Sequence, residues 1–304
     1  MRGASARFPL SSIRMLLHTE QLTKDYGKHR ALDRVSFSVS AGEVFGLLGP
    51  NGSGKSTALR LLLGFLQPTA GRAAIAGHDC WHDSVAARRH VVYLPGELRL
   101  YENMTGRQLI RFLGRLRGQA ASAELPELAR QFDLDLDRPI AHLSSGMKRK
   151  VALLQVLLPH APLLVLDEPT NTLDPTMRQE LLGHLCRARD HGQAVLFSSH
   201  VLDEVEQVCD RVGILQHGRL VHVQNMTELR QARVIRARFT EGPTALPDLP
   251  GLLVRACEDH QLSLEHSGPL PPLLDWLSRQ PVTELQMQPL GLSAIYRRYH
   301  GVET

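Results

Sequence analysis

A glycine-rich stretch near the start of the chain restricts its fold more than any other segment. Residues 49–57 read GPNGSGKST, which has the spacing G-x-x-x-x-G-K-[ST]. The apolar segment Val44–Leu48 before it predicts a buried strand, and residues 58–63 after it predict a helix. A strand, such a loop and a helix in this order are typical of a phosphate-binding loop, because the glycines let backbone N–H groups surround an anion.

The loop predicts specific contacts with a nucleotide. Lys55 is expected to reach the β- and γ-phosphates, and the Ser56 hydroxyl is expected to ligate Mg²⁺. The residues expected to contact the phosphates are Gly49, Pro50, Asn51, Gly52, Ser53, Gly54, Lys55, Ser56 and Thr57. A glycine-rich turn without a ligand is the alternative that the loop alone leaves open.

Length and charge exclude some classes of protein. The chain has 304 residues, which fits one large domain or a main domain with a smaller one. Its net charge of +4 is spread along the chain, so no nucleic-acid partner is expected. Its four cysteines form no CxxC pair and are typical of reduced, cytosolic thiols. No apolar run reaches the ~20 residues of a membrane span, so we expect any membrane partner to be a separate chain.

The order of elements predicts an α/β fold with an appendage. Residues 1–14 are expected to form a disordered extension, and Met15 is an alternative start. Strands separated by helices across residues 15–230 predict a parallel sheet with covered faces, interrupted by a helical lobe at about residues 98–160. In that lobe, Ile110, Phe112, Leu113 and Leu116 are expected to form one apolar stripe. Residues 231–304 predict a small α+β domain.

Two further motifs carry candidate chemistry. The apolar strand Leu163–Asp167 ends in a carboxylate and is followed by Glu168. Asp167 beside a phosphate loop is a candidate to hold Mg²⁺ through water, and Glu168 is a candidate to orient an attacking water. Acidic residues at a helix entry are the alternative. Ser144 is predicted to cap the next helix, which by itself indicates no more than a capped helix.

Six motifs in this order identify a resemblance. They are Tyr26, the phosphate loop, residues 143–147, residues 163–168, Leu173 with Asp174, and Ser199 with His200. Together they resemble the ATP-binding subunit of an ABC (ATP-binding cassette) transporter, over about residues 16–226. The resemblance implies a P-loop NTPase cassette with a mixed sheet core and an inserted helical lobe. It also implies ATP and Mg²⁺ as ligands.

The resemblance implies roles for residues outside the phosphate loop. Tyr26 would stack on the adenine ring, although an exposed turn tyrosine is the simpler interpretation of this residue alone. Ser144 and Gly146 resemble the signature loop, which closes over the ATP bound by a second copy in a head-to-tail dimer. Asp174 resembles the loop that links the two sites of that dimer. His200 resembles the histidine that contacts the γ-phosphate.

The implied reaction is ATP hydrolysis by in-line phosphoryl transfer to water, with Lys55, Glu168 and His200 as the catalytic residues. The chain departs from the family pattern at Gly96, where a glutamine is usual. Glu97 follows it and is a candidate replacement ligand for the metal. The signature also departs, because residues 145 and 147 are Ser and Met where Gly and Gln are usual.

Residues 93–97, the signature and the tail at residues 292–296 resemble the exporter ATPases of the ABC-2 type. The expected partner is therefore a separate integral membrane permease, with this chain cytoplasmic and peripheral on the inner face of the membrane. A soluble ABC ATPase of translation or DNA repair is the alternative. A binding module without hydrolysis is a third class, which the intact Glu168 and His200 disfavour.

Two weaker signals stay open. His78, Cys80 and His82 alternate and would share one face of a strand, so they are a candidate metal group with no visible fourth ligand. The basic run at residues 148–150 is interpreted as a solvated helix face.

Overall fold

The computed structural model describes residues 15–118, 122–242, 246–258 and 260–300. The predicted extension at residues 1–14 lies outside these ranges. Two compact units divide the chain, the first ending at Val223 and the second beginning at Gln224. The predicted boundary lies later, after residue 230. The observed boundary is earlier because the short helix Met226–Gln231 contacts the final helix, Gly291–His300.

The first unit alternates strands and helices over most of its length. The strands are β1 Met15–Tyr26, β2 His29–Val35, β3 Ser38–Ser40, β4 Val44–Leu48, β5 Ala70–Ile75, β6 His78–Asp79, β7 Val91–Leu94, β8 Leu163–Asp167, β9 Ala194–Ser199, β10 Arg211–Gln216 and β11 Arg219–Asn225. The helices are α1 Lys55–Leu62, α2 Ser84–Arg89, α3 Gly106–Leu116, α4 Leu125–Gln131, α5 Ser145–Leu157, α6 Pro175–Asp190 and α7 Leu202–Val208.

These strands form two sheets that share one core. The antiparallel sheet has the order β2-β1-β5-β6, with β3 also paired to β1. The other sheet has the order β11-β10-β4-β9-β8-β7, and its strands from β10 to β7 are parallel. Every residue of β4, β8 and β9 is buried, as expected for parallel strands with both faces covered. Phe37 and Phe45 stack in the shared core at a centroid distance of 5.1 Å.

The register of the parallel strands places their carboxyl ends together. Leu48 at the end of β4 lies opposite Ser199 of β9. Asp167 at the end of β8 lies opposite Ser198 of the same strand. The segments that follow these strands therefore emerge along one edge of the sheet, which is where open α/β sheets bind ligands.

The helical lobe contains α3, α4 and α5, and the predicted stripe on α3 is covered only in part, because Ile110 and Leu113 are half-buried. Leu109 is the buried apolar side chain of this helix, whereas Phe112 is 37% exposed and Leu116 is 69% exposed. The start of this helix packs closely on its neighbours, since a Cβ added to Gly106 would lie 3.1 Å from Leu136 and 3.5 Å from Val151 of α5.

The second unit is a small α+β domain. Its elements are α8 Met226–Gln231, β12 Arg233–Phe239, β13 Leu252–Glu258, β14 Gln261–His266, α9 Leu270–Ser278, β15 Val282–Pro289 and α10 Gly291–His300. The sheet is antiparallel with the order β13-β14-β12-β15. Leu273 and Leu277 of α9 join Ile235, Phe239 and Leu264 in its core. Strand β15 is absent from the prediction because its residues are mostly polar and lie at an exposed edge.

No helix in the described part of the chain combines the length and the apolar composition that crossing a bilayer requires.

Stability should depend on pH through His184 of α6. Burial, with a smaller effect from Arg187, lowers the pKa of this imidazole to about 4, and the ring packs edge-on against Phe132. Unfolding restores a pKa near 6.5, so the unfolded chain binds a proton between these values and stability is lost as the pH falls from 6.5 towards 4. We expect His184→Leu to reduce this loss, measured by urea unfolding near pH 7 and near pH 5. An equal loss of stability in the variant and the parent chain would contradict the assignment.

Candidate nucleotide site

The loop between β4 and α1 needs its glycines for two different reasons. A Cβ added to Gly49 would lie 2.5 Å from the Leu215 carbonyl oxygen. A Cβ added to Gly54, which has φ +107°, would lie 2.7 Å from the Ala31 carbonyl oxygen. At Gly52, with φ +80°, the added Cβ would meet nothing within 4 Å. The first two glycines therefore allow close packing of the loop, and the third lies beside open space that a side chain would fill.

Lys55 begins α1 with its charge held inside the loop. The side chain is 6% exposed, and Nζ donates to the carbonyl oxygens of Gly49 at 2.6 Å and Pro50 at 3.3 Å. The buried hydroxyl of Ser53 has no hydrogen-bond partner among the described residues. A buried polar atom without a partner costs stability. A fixed ammonium, an unsatisfied hydroxyl and an open cradle are together the features expected of an anion site.

A cleft of about 400 Å³ opens at this loop. Its lining residues are Tyr26, His29, Ala31, Pro50, Asn51, Gly52, Ser53, Gly54, Lys55, Ser56, Thr57, Glu168, Asn171 and His200. The structure thus brings Tyr26, Glu168 and His200 to the phosphate loop, as the motifs predict. His29 and Asn171 are absent from the prediction, since no pattern distinguishes them from other polar residues.

Tyr26 lies at the end of β1, at the rim of the cleft. Its ring is 46% exposed, and the Lys24 ammonium lies 5.2 Å from the ring centroid. An exposed aromatic face at the mouth of a phosphate cleft is suited to stacking on a flat base.

Ser198 binds the carboxylate of Asp167 and the backbone of Glu168 at the end of β8. Its Oγ donates to Asp167 Oδ1 at 2.6 Å and accepts from the Glu168 N–H at 3.0 Å. Glu168 has φ +48°, a left-handed conformation that costs energy for a residue with a side chain. Ser198 therefore orients the Asp167 carboxylate and supports the strained backbone at Glu168. No motif in the sequence marks Ser198 for this role. It is one of the residues of a fully buried strand.

The Glu168 carboxylate lies between an ammonium and an imidazole. Its Oε1 is 3.5 Å from Lys55 Nζ, and its Oε2 is 2.6 Å from His200 Nδ1. The Glu168 side chain is 14% exposed and that of His200 is 50% exposed. This arrangement places an acceptor group beside the phosphate loop and leaves one face of the histidine ring in solvent.

Gly49 and Asp167 do not line this cleft. Three further predicted residues also lie outside it and cap helices or lie near helix starts. Ser144 caps α5 by accepting from the Met147 N–H at 3.3 Å, and Gly146 is in the first turn of that helix. Asp174 caps α6 by accepting from the Met177 N–H at 2.9 Å, and this hydrogen bond holds the pKa of Asp174 below its usual value.

The loop after β7 lies against the Asp167 carboxylate. A Cβ added to Gly96 would lie 3.4 Å from Asp167 Oδ2, which is ordinary contact. The Glu97 side chain is exposed and does not line the cleft.

The prediction of a solvated face for the basic run at residues 148–150 is wrong at its central residue, since Arg149 is 2% exposed.

The alternating His78, Cys80 and His82 do not form a metal group. His78 Nδ1 lies 2.8 Å from Asp83 Oδ2, and burial raises the pKa of the Cys80 thiol to about 12. Among the residues that the structure describes, no cluster of His, Cys, Asp and Glu can hold a metal ion. The three residues are divided between a two-residue strand and a turn, so the shared face that the pattern requires does not form.

The fold and the cleft define a P-loop ATPase cassette, and comparison with known proteins specifies the family. A family model for the ABC transporter matches residues 32–171. The chain is similar to the uncharacterized ABC transporter ATP-binding protein YxlF of Bacillus subtilis, with 39% identity over 71% of this chain and 73% of the relative. It is similar to the daunorubicin/doxorubicin resistance ATP-binding protein DrrA of Streptomyces peucetius, with 34% identity over 73% of this chain and 70% of the relative.

Two solved structures share this fold. An ATP-binding subunit of an ABC transporter matches with a TM-score of 0.66 and 33% identity, over 71% of this chain and 92% of that chain. A bacterial Atm1-family ABC exporter with ATP bound matches with a TM-score of 0.63 and 26% identity, over 75% of this chain and 42% of that chain.

The chain belongs to the family of ABC transporter ATP-binding subunits. The predicted family and fold class are confirmed, and the alternative of translation or DNA repair is not favoured. The match to another relative, the probable multidrug ABC transporter ATP-binding protein YbhF of Escherichia coli, spans 36% of that protein's length. The roles of individual residues stay predictions.

Gly52→Ala should weaken ATP binding in addition to lowering the stability of the fold. Gly77 provides a matched control, because its φ of +81° and its open surroundings equal those of Gly52, but it lies outside the cleft. Both alanine variants should lose a similar stability, about 1 kcal/mol, from the left-handed backbone. Only Gly52→Ala should also weaken ATP binding, measured by titration with a fluorescent nucleotide. Equal ATP affinity in the two variants would show that the open space at Gly52 does not receive phosphate.

Proposed function

We propose that this chain binds ATP with Mg²⁺, hydrolyses it within a head-to-tail pair of cassettes, and thereby drives a separate membrane permease of the ABC-2 exporter type. The observation that carries the proposal is the Glu168 carboxylate, which lies 3.5 Å from Lys55 and 2.6 Å from His200 at the phosphate cleft. A carboxylate in this position can orient a water for attack on a terminal phosphate.

Ser56 of the cleft and the neighbouring Asp167 fit Mg²⁺ with ATP. The exposed Ser56 hydroxyl and the Asp167 carboxylate, which is oriented by Ser198, would hold the ion, the carboxylate through water. When bound, the ion would neutralise charge on the phosphates. Lys55 would contribute a second fixed positive charge to the same oxygens, since its ammonium is held in the loop before any ligand enters.

Glu168 and His200 have complementary roles in the proposed hydrolysis. Glu168 holds the attacking water and accepts its proton, because a carboxylate offers acceptors in the direction of the phosphate. His200 is anchored to that carboxylate through Nδ1, so its other ring nitrogen can contact the γ-phosphate. Catalysis of this kind depends mainly on positioning, which the fixed backbone of residues 167 and 168 supplies.

A second copy completes the site in this proposal. Ser144 and Gly146 lie at the N-terminus of α5, outside the cleft of their own chain. The N–H groups at a helix N-terminus attract a phosphate. Placed over the ATP of a facing copy, they would favour the closed pair when ATP is present, and hydrolysis would reverse this preference. Asp174, close in sequence to Glu168, would link the two sites.

The exporter assignment rests on the relatives and on exposed aromatic side chains. The relatives include resistance proteins for daunorubicin and linearmycin.

Two exposed aromatic side chains lie in edge-on pairs. Phe65 is 55% exposed and packs against Tyr93. Tyr101 is 59% exposed and packs against Phe112. Tyr93 precedes the loop at residues 95–97 and Tyr101 follows it. Exposed aromatic side chains near such a loop are typical of an interaction site, and we assign them to the permease. This chain would then be cytoplasmic and peripheral on the inner face of the membrane.

Glu168→Gln should stop turnover while ATP remains bound. The amide preserves the size of the side chain but cannot accept the proton of the water, so we expect the rate of ATP hydrolysis to fall at least about 100-fold. Glu180→Gln is the control, because it makes the same change at an exposed position of α6. Phosphate release and retained nucleotide are the measurements. A Glu168→Gln chain that hydrolyses ATP at the parent rate would remove the catalytic assignment.

Substituting the exposed aromatic residues should affect the partner and not the cleft. Tyr101→Ser together with Phe65→Ser is expected to reduce recovery of the chain with membranes of its own cells, because apolar contact area is lost. ATP binding by the purified variant should equal that of the parent, since neither residue lines the cleft. Recovery of the parent chain with ribosomes or DNA, and never with membranes, would contradict a permease partner.

A further inference from the structure

Arg149 is a buried charge in the middle of the first unit. It lies one turn into α5, and its side chain is 2% exposed. A buried charge is costly unless it is paired or fully hydrogen-bonded. The partners of this guanidinium are main-chain carbonyl oxygens, which indicates that it binds a particular backbone path.

All three nitrogen atoms of the guanidinium donate. A guanidinium has five N–H donors in a planar fork, and five carbonyl oxygens receive them here. Nε donates to Pro169 at 3.1 Å. Nη1 donates to Pro95 at 2.8 Å and to Gly96 at 3.1 Å. Nη2 donates to Asp167 at 3.1 Å and also to Glu168.

These acceptors belong to two separate segments. One is the loop that follows β7, at residues 95 and 96, and the other is the turn that follows β8, at residues 167–169. The first lies against Asp167, and the second contains both Asp167 and Glu168. Arg149 itself belongs to the helix that Ser144 caps. A single side chain therefore joins the helix that Ser144 caps, the loop after β7 and the backbone of the turn that carries Asp167 and Glu168.

The hydrogen bonds of Arg149 to this loop matter more because residue 96 is a glycine. Without a side chain, residue 96 cannot reach the metal or the water, so the loop contacts its surroundings through its backbone. The carbonyl oxygens of Pro95 and Gly96 are both occupied by Arg149. In the described part of the chain, this guanidinium is the side chain that bonds both segments.

The positive charge of Arg149 acts on the same two residues as its hydrogen bonds, Asp167 and Glu168. Burial lowers the pKa of the guanidinium, and the nearby charges of Asp167 and Glu168 oppose that effect. Because an arginine side chain stays protonated in proteins, a fixed positive charge lies behind the two carboxylates. A lysine would bring the charge but not the planar fork.

We propose that Arg149 is a positioning residue for ATP hydrolysis, which sets the placement of Asp167 and Glu168 and transmits to them the position of the signature helix. When Ser144 and Gly146 engage the nucleotide of a second copy, any shift of α5 moves the guanidinium and, through it, the turn at residues 167–169. This proposal rests on the ATPase function proposed above and adds a route by which dimer contact controls turnover.

The test compares the full-length Arg149→Lys variant with Lys148→Gln. Lys148 is the neighbouring residue on the same helix, and its ammonium pairs with Glu102 near the surface. We expect Arg149→Lys to lower kcat at least about tenfold, because small displacements of catalytic groups have large effects. The KM for ATP and the ATP affinity measured without Mg²⁺ should change less than about twofold, since the phosphate loop is untouched. Lys148→Gln should retain the parent kcat.

A second measurement separates positioning from folding. The Mg²⁺ concentration that gives half-maximal hydrolysis should rise in Arg149→Lys, since Asp167 is displaced, while the melting temperature and ATP binding confirm a folded chain. If Arg149→Lys folds poorly, the same measurements are made on Arg149→Gln, which keeps part of the hydrogen bonding. Parent values of kcat and of the Mg²⁺ requirement would overturn the proposal, and so would a parallel loss of ATP affinity and kcat. A parent chain without ATPase activity would instead overturn the proposed function.

Discussion

The parallel pairing of β4, β9 and β8 is the constraint on which the site depends. Three segments that are far apart in sequence leave the sheet at one edge, because the hydrogen-bond register aligns Leu48 with Ser199 and Asp167 with Ser198. The phosphate loop, Glu168 and His200 reach one cleft only while this register holds. A slip of one residue would turn alternate side chains to the opposite face and separate Asp167 from its serine. The fully buried strands resist such a slip, since it would exchange the side chains packed on both faces.

The strained conformation of Glu168 shows how the surrounding structure serves the reaction. A left-handed residue with a side chain is stable only where its surroundings fix it. Ser198 binds the Glu168 N–H, Arg149 binds its carbonyl oxygen, and His200 binds its carboxylate. Main chain and side chain are therefore fixed separately. This agrees with a reaction in which the protein supplies geometry and charge while the nucleotide supplies the reactive bond.

The sequence predicts the parts of the site that depend on local pattern. The strand, the glycine loop and the helix at residues 44–62 form as predicted, and Glu168 and His200 line the expected cleft. The sequence does not predict Ser198 or Arg149, because their roles depend on partners that are 30 and about 20 residues distant or more. A basic run resembles a solvated face unless its depth in the fold is known. The stripe on α3 is covered only in part for a related reason, since periodicity gives the apolar side of a helix but not how much of it a neighbour covers.

The bonds of Arg149 to main-chain oxygens have a consequence for sequence variation. Every residue type has a carbonyl group, so substitutions at positions 95, 96 and 168 need not weaken this connection if the backbone path is kept. These hydrogen bonds are therefore sensitive to mutation mainly at residue 149. The side chains of the residues that supply the carbonyl oxygens can change without breaking them. The loop after β7 can in this way change its side chains, as at Gly96, without losing the hydrogen bonds that join it to Arg149 of α5. Mutational tolerance in the loop and intolerance at residue 149 are two results of the same geometry.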